Sequence, residues 1–169
     1  MKYIKVTVKN QKGVTLVELI VSLLLIGIVF GTINTFLAYG LNTYNTNRDR
    51  AEVAENLRVG LNRLSREMRM AAEFKSFTEA NGGRLAFKST GTGRTISYHI
   101  STSGDSESAK QLIRAVDGQG NNPVVRYVHK IQVVSALDGA GVEVLTVTLT
   151  GEKGRSGSRE VSTTVRLRN

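Results

Sequence analysis

Glu18 is the residue whose placement asks most for a chemical explanation. It is a single carboxylate at the start of an uncharged run. The next charged residue is Arg48, so Leu19 to Asn47 is 29 residues without a charge. Near a bilayer boundary such an acid can snorkel, reaching water along its own methylenes. Among apolar helices it needs a cationic partner, because burying a lone carboxylate costs several kcal/mol. Immediately before it stands Lys12-Gly13-Val14-Thr15. Gly13 has no side chain to clash with a protease and keeps the backbone pliable there.

Other reactive groups are sparse. Cysteine is absent, which removes disulfides, thiolate metal sites and a cysteine nucleophile, but leaves the compartment open. His99 and His129 both fall in strand-like stretches, far from any carboxylate cluster with metal spacing. Asp117-Gly118-Gln119-Gly120-Asn121 superficially resembles a calcium loop, yet its sixth and twelfth positions are Asn122 and Val128 instead of glycine and an acid. No catalytic constellation, metal site or cofactor site is legible, and the chain reads as non-enzymatic. Net charge is +9, but Lys2, Lys5, Lys9 and Lys12 precede Gly13 and supply +4 of it. Arg155, Arg159, Arg166 and Arg168 make the end of the chain basic, as a charged strand edge does to repel other sheets. Contact with nucleic-acid phosphates is the alternative, weakened by the lack of interleaved aromatics.

The elements that must hold Glu18 follow from hydropathy. Twenty-nine helical residues span about 43 Å, against a hydrocarbon core of about 30 Å. Lysines precede the run and Arg48, Asp49 and Arg50 follow it, so the positive-inside bias places the start in the cytoplasm and the rest outside. Ala38-Tyr39-Gly40 is a small-x-small tripeptide that a signal peptidase accepts, although the run is longer than an ordinary signal's apolar region. Gly27 and Gly31 form a small-xxx-small pair that permits close helix packing.

Lys12-Gly13-Val14-Thr15-Leu16-Val17-Glu18-Leu19 resembles the amino-terminal signal of type IV prepilins and type II secretion pseudopilins. That resemblance implies a leader over residues 1–13, cleavage between Gly13 and Val14 by a prepilin peptidase, and N-methylation of Val14. The family usually has phenylalanine where Val14 stands. It further implies that Glu18 pairs with the Val14 amine of a neighbouring subunit during assembly. Residues 14–47 would then be the transmembrane and assembly part of a long helix, and 48–169 an extracytoplasmic head.

Within the head, Ala54, Leu57, Leu61, Leu64, Met68 and Ala71 recur three and four residues apart, the apolar stripe of a helix docking on a sheet. The helix is expected to run from about Val14 to Phe74, with its amphipathic part over 48–75 and Gly82-Gly83 marking the departure from helix. Residues 84–169 read as β-rich. Strands are expected at Arg84–Ser89, Thr95–Ser101, Gln111–Val116, Val142–Thr150 and Glu160–Leu167, with Val124–Leu137 one strand or two broken near His129-Lys130. Gly91-Thr92-Gly93, Asp117-Gly118, Asp138-Gly139 and Gly151–Gly157 supply turns. The stretch "NLRVGLNRLSREMRMAA", with "RLAFKS", "ISYHI" and "VVRYVHKIQVV", resembles J-type minor pseudopilins and W-type minor pilins.

The expected fold class is α+β: a long N-terminal helix, transmembrane and then exterior, packed on an antiparallel sheet as in pilins. The expected role is a minor structural subunit of a type IV pilus, competence pilus or secretion pseudopilus. Its partners would be the prepilin peptidase, sister pilins and the cytoplasmic membrane, with the N-terminus inside and the head outside. Two alternatives stay open: an exported binding module cut near Gly40, and a DNA-binding competence pilin.

Overall fold

The computed structural model describes residues 13–101, 110–137 and 143–166. The expected leader, apart from Gly13, lies outside them, as do the Asp138-Gly139 turn, Val142, Leu167 and Arg168. The chain divides into two compact units, Met1–Thr43 and Tyr44–Asn169. One helix, α1 (Leu16–Arg69), contributes to both. It is followed by β1 (Ala71–Thr78), a 3₁₀ turn (Ala80–Gly82), β2 (Arg84–Ser89), β3 (Thr95–Ser101), β4 (Gln111–Val116), β5 (Gly120–Arg126), β6 (Val128–Leu137), β7 (Glu143–Gly151) and β8 (Arg159–Arg166). This is the α+β pilin fold of a long helix and an antiparallel head.

The strands form two antiparallel meanders, ordered β1-β2-β3-β4-β5 and β6-β7-β8. Alternation along β2, β3, β4 and β7 turns Leu85, Phe87, Ile96, Tyr98, Ile100, Leu112, Leu145, Val147 and Leu149 into one core shared with the second half of α1. Phe87 and Tyr98 stack there with centroids 6.2 Å apart. Pro123, which cannot donate to a ladder, is tolerated because β5 is an edge strand. The residues that superficially resembled a calcium loop make the β4–β5 turn, where Gln119 N–H donates to Val116 O at 2.9 Å.

The helix ends at Arg69, short of 74–75, and β1 occupies the stretch expected to be its last turn. The physical reason is a pair of β-bulges. Ala71, Phe74 and Phe77 are spaced by three, which looks helical, but they face Ser89, Phe87 and Leu85, which are spaced by two. Register shifts between Ala71 and Glu73 and between Phe74 and Ser76 each add one residue to β1. A bulged strand therefore keeps every third side chain on one face. The departure from helix accordingly lies at Met70, and Gly82-Gly83 closes the 3₁₀ turn instead.

Val124–Leu137 is two strands, and the break falls at Tyr127, two residues before His129. Tyr127 has φ +64°, in the left-handed region that non-glycine residues seldom occupy. That kink takes the chain from the first sheet to the second. Its carbonyl accepts from Glu152 N–H at 3.0 Å, which holds the turn. A β-carbon on Gly151 would run into the same Tyr127 carbonyl, so the close approach of the two segments requires glycine there.

Candidate functional site

The segment Gly13–Glu18 is built as a helix start. Thr15 stands just before α1, and its Oγ1 accepts from Glu18 N–H at 3.3 Å. Thr15 O accepts the first intrahelical bond, from Leu19 N–H at 3.1 Å. Thr-x-x-Glu is thus an N-cap with an acid at the third helical position, the arrangement of a capping box. Glu18 also lies where the helix dipole favours negative charge. The cap is a role for Thr15 that the residue pattern alone could have disclosed, since S/T-x-x-E before an apolar run is its signature. Gly13 and Val14 precede the helix in irregular backbone, and a β-carbon on Gly13 would meet nothing within 4 Å.

From Val14 to Tyr44 every large apolar side chain is between 47% and 76% exposed in the isolated chain. A surface so apolar requires lipid or other helices to cover it. Among the described residues α1 is the one helix long and apolar enough to cross a membrane. Its polar side chains are compatible with that environment because they return their donors to the helix. Ser22 donates to Glu18 O at 2.7 Å, Thr32 to Val29 O at 2.8 Å, Asn34 to Phe30 O at 2.9 Å and Thr35 to Gly31 O at 3.0 Å. Gly27 and Gly31 have open space where their β-carbons would be. Gly31 lines a shallow groove with Ile28, Thr32, Thr35, Phe36 and Tyr39.

In the head, Leu57, Leu61, Leu64 and Met68 of α1 are buried. Ala54, expected beside them, is only half-buried, and Val53 takes the fully buried position one residue earlier. Ala71 is buried as part of β1, outside the helix. Gly60, which the three-and-four spacing passes over, is also on this face. A β-carbon there would sit 2.8 Å from Val125 Cγ2, 3.3 Å from Leu112 Cδ2 and 3.5 Å from Leu149 Cδ1. These belong to β5, β4 and β7, so the helix crosses both sheets where its own side chain vanishes.

A polar clip ties the first turns of α1 within the head to the β7–β8 loop. Lys153 Nζ lies 2.6 Å from Glu52 Oε2 and 2.9 Å from Asp49 Oδ1, with the Tyr127 ring centroid 5.2 Å away. Arg50 Nε donates to Ser156 O at 3.1 Å, and the buried Ser156 hydroxyl accepts from Lys153 N–H at 3.0 Å. Donation from Lys153 holds the Glu52 carboxyl below its ordinary value of 4.5. The same hydrogen bonds, to Glu52 and then Asp49, hold the Lys153 ammonium above its ordinary 10.5. A depressed acid stabilises above its unfolded value and ceases to as pH falls through its folded one. A raised lysine stabilises below its unfolded value and ceases to as pH rises through its folded one. The clip is therefore at full strength between about pH 5 and 10. Lys153→Met leaves two acids facing each other; because the site is partly exposed, the loss is about 1 kcal/mol or less. Melting curves should show that deficit at neutral pH and a shrinking one as the pH falls through the lowered value of Glu52.

Elsewhere in the head, Arg114 Nε donates to both oxygens of Glu67 at 2.9 Å. Burial, then the Glu67 charge, pushes the Tyr98 phenol above its usual range. Burial, then Arg84, holds His99 below its ordinary value. His129 Nε2 lies 3.0 Å from Glu152 O, which fixes that nitrogen as the donor. The two histidines thus sit in strands with separate surroundings, and neither joins the clip. Arg159 and Arg166 begin and end β8.

A family model, the prokaryotic N-terminal methylation motif, matches residues 8–34. No significant match was found among curated proteins or among solved structures. The matched residues run from the lysine-rich stretch through Gly13, the Thr15 cap and Glu18 into the exposed apolar helix. Such a motif implies processing by prepilin peptidase and assembly with other pilins, and the apolar helix fits a membrane anchor. Carrying it ahead of a helix-and-antiparallel-sheet head, the chain is type IV pilin-like in its amino-terminal motif and in its order of elements.

Proposed function

We propose that this chain is a minor pilin or pseudopilin, held in the cytoplasmic membrane until it enters a type IV pilus, competence pilus or secretion pseudopilus. The observation that carries the reading is the placement of the methylation motif directly on the cap of an apolar helix that has no cover of its own. Prepilin peptidase would cut after Gly13 on the cytoplasmic side, and Val14 would become the methylated amino terminus. Residues 14–47 would then serve as anchor and assembly helix, and residues 48–169 as the extracytoplasmic head. Gly27 and Gly31 would let neighbouring helices approach closely. The head face of Leu57, Leu61, Leu64 and Met68, with half-buried Ala54 at its margin, docks the sheets. The minor-subunit assignment rests on the resemblance of Asn56–Ala72 to J-type and W-type subunits.

Once the anchor leaves lipid for a bundle of sister helices, Glu18 needs a cation, and the amine of a neighbour's Val14 supplies one. Co-expression with a prepilin peptidase should remove 13 residues and leave Val14 first, carrying one methyl, as read by intact mass. A mature chain starting at Leu41 would instead establish a secretory signal and a released binding module.

A further inference from the structure

We infer that the solvent face of α1 from Arg58 to Arg69, with Met70 just beyond it, seats an acidic amphipathic helix of a different subunit, an inference that rests on the filament reading above. At 100° per residue, Val59, Asn62, Arg63, Arg66 and Arg69 lie on the side of α1 away from Leu57, Leu61, Leu64 and Met68, with Arg58 on the flank and Met70 directly after the helix end. Arg58 is 69% exposed and Arg63 49%. Val59 and Met70, at 47% and 59%, are two of the few large apolar side chains exposed in the described part of the head.

Of the four arginines, Arg58 and Arg63 meet acids of the same helix only at long range, and Arg66 and Arg69 meet none among the described residues. Glu55 meets Arg58 at 3.7 Å. Glu67 is turned toward Arg114, at 2.9 Å, and reaches Arg63 only at 3.9 Å. Among the described residues no acid lies within ion-pair distance of Arg66 or Arg69. Cations in a last helical turn complement the helix dipole, which accounts for Arg66 and Arg69 but not for Arg58, Arg63 or the exposed Val59 and Met70. Like charges three residues apart weaken a helix by themselves, so the stripe costs stability until acids from elsewhere face it.

The composition of the face selects its occupant. A second copy is disfavoured, because residues from 44 onward hold 19 Lys and Arg against 13 Asp and Glu and this face would meet its own charge. Single-stranded nucleic acid favours aromatic platforms, and the stripe has Val59 and Met70 where rings would be. A helix with acids at three- and four-residue spacing and apolar residues between them matches both features. Exposed ion pairs contribute little singly, so apolar anchors and several charges are needed together.

The test uses the full chain in neutral detergent and a labelled synthetic helix with glutamates at three- and four-residue spacing and leucines between them. Anisotropy should show binding that weakens with salt, and no binding of the same helix with lysine for glutamate. Arg66→Glu with Arg69→Glu should weaken binding by about tenfold or more, and Val59→Ser with Met70→Ser should also weaken it. Circular dichroism should stay at the parent's, since none of these side chains enters the core. Arg94→Glu with Arg155→Glu makes the same change of net charge elsewhere and should leave affinity within about twofold. Equal loss from that remote pair, an unaffected double reversal, or a DNA duplex that competes through the same arginines would overturn the proposal. Cleavage after Gly13, read by mass on the same preparations, reports on the filament reading separately.

Discussion

Leu61→Asp unfolds the head. Leu61 is 4% exposed and sits beside Gly60, where α1 comes within van der Waals distance of β4, β5 and β7. Losing a buried leucine forfeits about 2 kcal/mol of apolar burial. A carboxylate in its place finds no cation among the leucines and valines of the core and adds several kcal/mol of desolvation. Set against a total stability of about 5–15 kcal/mol, the sum leaves little native population. The measurement is circular dichroism and melting on a soluble chain beginning at Asn45, which omits the apolar run and keeps the whole inner face. Val59→Asp, on the opposite face of the same helix, should change stability by about 0.5 kcal/mol or less. Equal melting of the Leu61→Asp variant and its parent would mean that the inner face of α1 is not the core face.

Glu18→Ala should yield a subunit that is inserted and cleaved but fails to assemble. Removing an acid from the edge of an apolar helix leaves insertion unimpaired or slightly improved. The glycine, the basic leader and the apolar run remain, so processing after Gly13 continues. In a bundle of anchors the neighbour's Val14 amine then has no partner, at a cost of several kcal/mol. Pull-down of sister pilins from processed, membrane-bound material reads the result. Glu18→Gln sharpens it, because glutamine also serves at the third position of a capping box. If glutamine is nearly as defective as alanine, the charge carries assembly. If glutamine behaves like the parent, the cap and polarity suffice. Full co-assembly of the alanine variant would leave Glu18 as a snorkelling acid of the helix start.

The reach of the sequence is clearest where one periodicity has one cause. The apolar run, the lone acid and the glycine before it are local facts, and they lead directly to a membrane-length helix behind a processing motif. Strands β2, β3 and β4 lie at the bounds expected from alternation, because a half-buried strand writes its period into adjacent residues. The docking leucines are legible for the same reason. Period three in Ala71, Phe74 and Phe77 had two possible causes, and a bulged strand against β2 and a helical turn look alike until the partner's register is known.

What the sequence alone determined is therefore the membrane-length apolar helix, the motif and the helix-then-sheet order, all of which depend on neighbours along the chain. Only the tertiary structure decided that Gly60 is where the helix meets both sheets. It likewise decided that Tyr127 is where the chain changes sheets, and that Lys153 clips the helix through Asp49 and Glu52. The clip joins residues about a hundred positions apart, and Gly60 meets Leu112, Val125 and Leu149, all more than fifty positions away along the chain. Their energetics come from close approach and desolvation between remote segments, and no spacing within either segment encodes that.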